Sequence, residues 1–300
     1  MSIVSASRAA VGSKSVGTRS EGAPRRRRRR LALRTLLSVV MLALAAGMAL
    51  PFYYIVVNTF KTSQQAAASP LALPAPFTFQ NYRDVIDSVP LLESFGNSVY
   101  VTVLGVLATV LFGSMAAYAM NMRRTRGNRV LRAVLVVALA VPFQVTVVPL
   151  YEMMVKAGLV NSLSGLVVVY MAGAVFCFFL IDGYMSTIPK ELVEAAKIDG
   201  AGVIQVYARI MMPLSAPVLA TVGIFQTIGI WNDFLVANTF LSSSQKYTIV
   251  LRVYGAVGQF STDWPSFMTL TTISLLPMVV FFIVMQRKIM GGLASGAVKG

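Results

Sequence analysis

Glu191, Glu194, Ala195, Ala196, Asp199 and Gly200 crowd ten consecutive positions between two long uncharged stretches of a chain that has only 11 acidic residues. Three carboxylates and two small side chains in that span suit recognition of another surface better than bond-making. The sequence contains no histidine, and Cys177 is its single cysteine, so a His-based triad, a His/Cys zinc site and an internal disulfide are all excluded. Cys177 stands between Phe176 and Phe178, where it reads as a small buried apolar residue.

The acidic cluster must be held on a helix. Pro189 suits a first helical position, Glu191 and Glu194 lie near the positive end of the helix dipole, and Gly200 ends the segment. On such a helix Leu192, Ala195, Ala196 and Asp199 fall on neighbouring faces, and the two alanines form a low strip that lets another backbone approach closely. An amphipathic helix lying on lipid is the alternative, but the segment is short, lacks aromatics and carries more acid than base. Docking into a groove of another protein fits better.

A second set of polar groups sits inside the apolar stretches: Tyr118, Gln144, Thr146, Gln226, Thr227, Trp231 and Asn232. Together these can hydrogen-bond and stack against a polyhydroxylated solute. Taken one at a time, each reads first as an interhelical hydrogen bond or an interfacial anchor.

The elements that position both sets are set by composition. Hydrophobic residues make up 56% of the 300 and charged residues 12%, with mean hydropathy +0.72, which is a membrane composition. A spanning helix needs about 20 mostly apolar residues. Six uncharged stretches qualify: Thr35 to Val57, Ser94 to Met122, Ala133 to Tyr151, Ala157 to Ile181, Ile210 to Asn232 and Trp264 to Gln286. The expected fold is an all-α integral membrane protein of six transmembrane helices. No stretch carries an ionisable group at its middle, which weighs against proton or ion coupling within the chain. Gly105, Ala108, Gly113, Ser114, Ala116 and Ala117 in the second stretch, with Gly165, Ala172 and Gly173 in the fourth, allow close helix contact. Pro51, Pro142, Pro149 and Pro277 mark kinks or span ends.

Basic residues resist translocation. With the N-terminus inside, all of the 26 Lys and Arg lie inside except Lys61, Arg83, Lys156, Lys246 and Arg252. Both termini are then cytoplasmic, as is the acidic helix between spans four and five. The first stretch follows arginines and is too long for a signal-peptide core, so it reads as an uncleaved anchor. The net charge of +15 is concentrated in part in Arg25 to Arg30, within a Gly/Ser/Arg-rich tail that reads as disordered. That block serves as a topology signal or as an attractant for acidic lipid or nucleic acid; no nucleic-acid partner is expected. The expected segments are a basic tail over 1–33, a first helix over 34–58, an extracytoplasmic loop over 59–93, a transmembrane domain over 94–290 with the inside loop at 182–213, and a C-terminal tail over 291–300.

Around the acidic helix the order is Glu194-Ala195-Ala196, three residues, Gly200, nine residues, Ile210, one residue, Met212-Pro213. This resembles the EAA loop of ABC importer permeases, with methionine in place of the leucine of the terminal Ile-x-Leu-Pro. Asn97-Ser98, Ala116-Ala117-Tyr118-Ala119, Pro149-Leu150-Tyr151, Gly158-Leu159, Ile198-Asp199-Gly200-Ala201, Trp231-Asn232-Asp233 and the terminal Gly296-Ala297-Val298-Lys299-Gly300 narrow the resemblance to carbohydrate-uptake permeases of the maltose-permease type, over Phe77 to Gly300.

The resemblance implies a second homologous permease subunit, two cytoplasmic ATPase subunits and an extracytoplasmic solute-binding protein as partners, in addition to membrane lipid. ATP and Mg would be used by the ATPase; this chain would bind no cofactor and no metal and would not be an enzyme, since it has no Gly-Lys dipeptide and hence no P-loop. It further implies that Glu191, Glu194, Ala195, Ala196, Asp199, Gly200, Ile210 and Pro213 couple to the ATPase, while Tyr118, Gln144, Gln226, Trp231 and Asn232 remain the candidates for the solute path. In this reading Glu194 orients the docked helix, the alanines permit close contact and Gly200 supplies the break. The C-terminal segment from Gly291 would reach a regulatory contact or remain a free end. An ATP-independent carrier and a non-transporting membrane anchor are the alternatives.

Overall fold

The computed structural model describes residues 23–123, 125–259 and 263–297. All elements among these residues are helices, and the chain divides into two compact units, Met1–Tyr53 and Tyr54–Gly300. Helix α1 (Ala23–Asn58) carries exposed apolar side chains from Leu33 onward, among them Leu42 and Met48, as befits a helix solvated by lipid rather than by water. Arg25 to Arg30 belong to this helix. Ala23 to Leu33 of the tail expected over 1–33 are thus helical, arginine being a good helix former. The rest of that tail lies outside the described residues, as do 298–300.

The segment expected as a loop over 59–93 is itself folded. It contains α2 (Ser63–Ala68), opened by a Thr62–Gln65 capping box, and α3 (Gln80–Ser88). Lys61 is buried and its Nζ donates to the carbonyls of Ser69 (2.8 Å) and Pro70 (3.0 Å). Asn81 donates to the carbonyls of Thr59 (2.7 Å) and Lys61 (2.8 Å), and the Phe60 ring stacks on Phe77 at 4.5 Å. Buried polar groups with such partners fix one conformation of the segment.

Four helices among the described residues are long and apolar enough to cross a membrane: Leu33–Asn58, Leu91–Met122, Leu163–Met185 and Trp264–Lys288. The second is α4 (Leu91–Met122). The third consists of α7 (Leu163–Tyr170), one 3₁₀ turn (Met171–Gly173) and α8 (Ala174–Met185). It starts later than the apolar run does, since Gly158 and Asn161 adopt positive φ and Ser162 caps the helix. At its other end it takes in Asp182, expected in the following loop. Small residues set the close contacts of this span: a Cβ on Gly113 of α4 would stand 2.7 Å from the Cβ of Cys177 in α8, and one on Gly173 of the 3₁₀ turn would stand 2.6 Å from Nε2 of Gln226. Cys177 is fully buried there. Close backbone approach is how helices adhere where lipid removes the hydrophobic drive.

Two of the six expected spans are not straight helices. Over the third stretch, α5 (Arg126–Ala140) and α6 (Phe143–Lys156) meet at 102°. The break is at Val141-Pro142, where proline has no N–H to continue the ladder. Over the fifth, α10 (Val203–Val206), a π-helical turn (Tyr207–Met211) and α11 (Met212–Leu214) meet α12 (Ala216–Trp231) at 77°. Pro213 and Pro217 flank that bend, and Ser215 at its centre is fully buried. Each pair passes as one span only if its two arms are counted together. Pro51, Pro149 and Pro277, by contrast, lie within continuous helices.

After α12 the chain forms two shorter helices, α13 (Leu235–Phe240) and α14 (Ile249–Gln259). Asn97 of α4 donates to the carbonyls of Gln245 and Tyr247, and Ser98 accepts from the backbone N–H of Ile249, which ties this segment to the start of α4. The last helix, α15 (Trp264–Ala297), runs on through Gly291 to Ala297, where a separate tail is expected.

Candidate functional site

The helix that presents Glu191 to Asp199 is built by its ends. Pro189 has extended ψ (130°) and stands as N-cap, one position earlier than its fixed φ suggests. Helix α9 (Lys190–Ile198) follows, with Glu191 in its first turn and Lys197 in its last, both charges matched to the dipole. At the far end Asp199 is the C-cap and Gly200 has φ +83°. The N–H of Gly200 reaches the carbonyl of Lys197 (3.1 Å) and that of Ala201 reaches the carbonyl of Ala196 (2.9 Å), which is the bonding of a Schellman motif. Glycine is favoured at that position because a Cβ crowds its own backbone at positive φ.

The two faces of α9 differ. Val193 and Ala196, three residues apart, are buried in one cluster with Tyr118, Phe178, Ile181, Met185, Val206 and Met211. Ala196 thus faces the chain's own spans, which corrects its placement on an outward strip beside Ala195. Helical spacing could not decide this, since either alanine can lie at the edge of a face centred on the other. Outward are Glu191, Leu192, Glu194, Ala195, Ile198 and Asp199. Ile198 is 87% exposed, and beyond the Gly200 turn Val203 and Ile204 are 65% and 80% exposed. Val203 and Ile204 lie outside every motif named above, and Ile198, though inside one, was assigned no part in docking; their signal is simply apolar side chains in a segment expected to be in water. Ile210 packs partly buried against the same cluster, and Pro213 is exposed in the first turn of α11.

The five solute-path candidates do not converge. The hydroxyl of Tyr118 donates to the carbonyl of Val203 (3.0 Å) and its ring lies 5.3 Å from Tyr207, while Tyr207 hydrogen-bonds Ser114 at 2.8 Å. Tyr118 therefore ties the segment after α9 to α4. Gln226 donates to the carbonyl of Gly173 and to Sγ of Cys177, both at 3.1 Å, joining α12 to the 3₁₀ turn. Gln144 is exposed in the first turn of α6. Trp231 is buried, with its ring 6.5 Å from Phe95. It lines a cavity of about 360 Å³ together with Thr102, Thr227, Pro277 and Phe281. Asn232, exposed, caps α12 by donating to the carbonyl of Ile228 (2.8 Å).

One ion pair went unforeseen. Arg132 of α5 meets Asp182 of α8 at 2.7 Å, and Asn121 of α4 donates to the same carboxylate at 2.7 Å. In the sequence Asn121 ends a span while Arg132 and Asp182 fall in two different connections, so only the packing of α4, α5 and α8 brings them together. Among the described residues no group of His, Cys, Asp or Glu is placed to hold a metal ion.

Residues 109–290 match the family described as binding-protein-dependent transport system inner membrane component. The chain is 35% identical over 268 residues to the melibiose/raffinose/stachyose import permease protein MelC of Bacillus subtilis, covering 89% of this chain and 96% of the relative. It is 33% identical to the probable starch degradation products transport system permease protein AmyC of Thermoanaerobacterium thermosulfurigenes, covering 83% and 91%. In fold it resembles a chain of a bacterial ABC transporter involved in import of the acidic polysaccharide alginate, with a TM-score of 0.74, 24% identity and coverage of 86% and 96%. A second structure of a bacterial alginate ABC transporter, in complex with a periplasmic protein bound to an alginate pentasaccharide, matches with a TM-score of 0.64 and 15% identity. With the family match running from α4 into α15, the chain belongs to the binding-protein-dependent transport system inner membrane components and is a membrane-integral permease subunit of an ABC importer, not an enzyme.

Proposed function

We propose that this permease imports a sugar or a related polyhydroxylated solute by alternating access across the cytoplasmic membrane, with α9 as its coupling helix. The observation that carries the coupling is the two-faced helix: Val193 and Ala196 anchor it to the spans, while Glu194, Ala195 and Ile198 face outward from a Schellman end. A helix held rigidly on one side and exposed on the other transmits a push. ATP with its Mg ion is bound by two cytoplasmic ATPase subunits. Their closure moves Glu191 to Gly200, with Ile210 and Pro213 passing the movement to the 77° bend before α12. A second permease subunit completes the path, and an extracytoplasmic binding protein delivers the solute. Sugar is favoured because relatives over most of this chain are named for uptake of melibiose, raffinose, stachyose and starch degradation products. Gln144, Trp231 and Asn232 are the path residues proposed, with Tyr118 and Gln226 as struts that hold the helices around it.

The proposed arrangement has six spans, two of them bent, both termini and α9 inside, and the folded segment of α2 and α3 outside. The excess of arginines after α4 supports this orientation. Reporter fusions after Arg126 and after Lys246 are expected on opposite sides of the membrane; the same side for both overturns the topology. Function is tested in vesicles carrying this chain with its partner permease, ATPase and binding protein. ATP-dependent accumulation of labelled galactosides or malto-oligosaccharides is the expected result. Uptake by this chain alone without ATP would replace the importer reading by a carrier.

A further inference from the structure

The ends of α4, α5 and α8 enclose a second, polar cavity of about 240 Å³, lined by Asn121, Thr125, Asn128, Arg129, Arg132 and Ser186 besides Met120. Its charge is unbalanced. Asp182 is taken by Arg132 through two contacts, at 2.7 and 3.0 Å. That carboxylate also accepts from Asn121, and the Arg132 guanidinium lies 5.9 Å from the centre of the Phe178 ring. Among the described residues Arg129 forms no ion pair. Arg123 and Arg126 flank it, exposed, and the first turn of α5 has no acidic residue to offset them.

The amides are already committed, Asn121 to Asp182 and the carbonyl of Ala117, and Asn128 to the carbonyl of Arg123. The Arg129 guanidinium, the hydroxyl proton of Thr125 and the outer edge of Arg132 are left to face an incoming group. A planar guanidinium fork matches a phosphate. Beyond Arg129, α5 continues into Val130, Leu131, Val134 and Val137, all 47 to 66% exposed, so the basic cavity opens beside a surface suited to acyl chains.

We propose that this cavity binds a phosphate anion supplied by the head group of an acidic membrane lipid, which lies against α5 with its chains along the valines. The lipid neutralises Arg129 and braces the junction of α4, α5 and α8 beside α9. The site concerns the membrane contact of the fold and is independent of which solute is moved.

The test uses the full chain in its native complex, extracted in mild detergent from membranes containing phosphatidylglycerol, with retained lipid counted by native mass spectrometry. Wild type is expected to keep phosphatidylglycerol over phosphatidylcholine. Arg129→Gln is expected to lose about fivefold of that preference, the weight of one basic residue against an anionic surface, and Arg129→Lys to keep part of it. Arg83→Gln, exposed on α3, serves as the unaffected control. If inorganic phosphate stabilises wild type in discs of pure phosphatidylcholine, and Arg129→Gln abolishes the effect, the phosphate chemistry stands and the anion comes from solution. Equal retention of phosphatidylglycerol by wild type and Arg129→Gln, with no phosphate effect on either, overturns the site.

Discussion

Replacing Gly200 by proline is expected to abolish ATP-driven uptake and co-purification of the ATPase while leaving the chain in the membrane. Gly200 stands at φ +83°, and proline holds φ near −65°, so the ring cannot occupy the native conformation. The substitution also removes the N–H that bonds the carbonyl of Lys197 and unwinds the end of α9. An ordinary L-residue there costs roughly 1–2 kcal/mol. Gly200→Ala is therefore expected to retain partial uptake, and Gly200→Asn to lie closer to wild type, since asparagine tolerates this region. The spans are untouched, so membrane insertion should not change and helix content by circular dichroism should fall by no more than the last turn of α9. Normal uptake by the proline variant would remove α9 from the coupling path.

The second large effect separates two adjacent alanines. Ala195→Arg is expected to cut ATPase co-purification by about tenfold or more, equivalent to about 1.4 kcal/mol of lost binding, without changing the thermal stability of the permease. Ala195 is exposed, so the added side chain meets nothing within the chain and obstructs only a partner that must approach closely. Ala196→Arg acts differently. Ala196 is 9% exposed within the cluster of Val193, Ile181, Met185 and Val206, and a cation there has no carboxylate to meet among these neighbours. Burying an unpaired charge costs several kcal/mol, so this variant is expected to lose thermal stability and uptake together. ATPase retention by Ala195→Arg, measured on a permease of wild-type stability, would move the docking surface elsewhere, to the exposed Ile198, Val203 and Ile204.

Much of this protein follows from its one-dimensional pattern. Apolar runs of about twenty residues dictate spanning helices because lipid offers no partner for free backbone groups, and the six runs fall mainly on helices or bent helix pairs, the fourth only from Leu163 onward. The Glu-Ala-Ala and glycine spacing located a helix with a glycine at its end, because a left-handed turn needs a residue without Cβ. The burial of Cys177 was also legible, although of its two phenylalanine neighbours only Phe178 is buried with it and Phe176 is exposed.

What the pattern could not contain is direction. Hydropathy along the chain carries no angle, so the directions of the 102° and 77° bends depend on what packs against each arm. A run of two alanines has no intrinsic inner face; Ala196 became the inner one because Val193 three residues earlier joins the cluster formed by α4 and α8. Tyr118 and Gln226 looked free to meet a solute, and are tied instead to Val203 and Gly173, because a polar group between helices is satisfied by whichever backbone lies opposite. Asp182 is 50 residues from Arg132 and 61 from Asn121 and meets them only where three helices converge. Local physics set which segments form long apolar helices and where the loop helix ends; contacts between distant segments decided which side chains face outward and which hold the helices together.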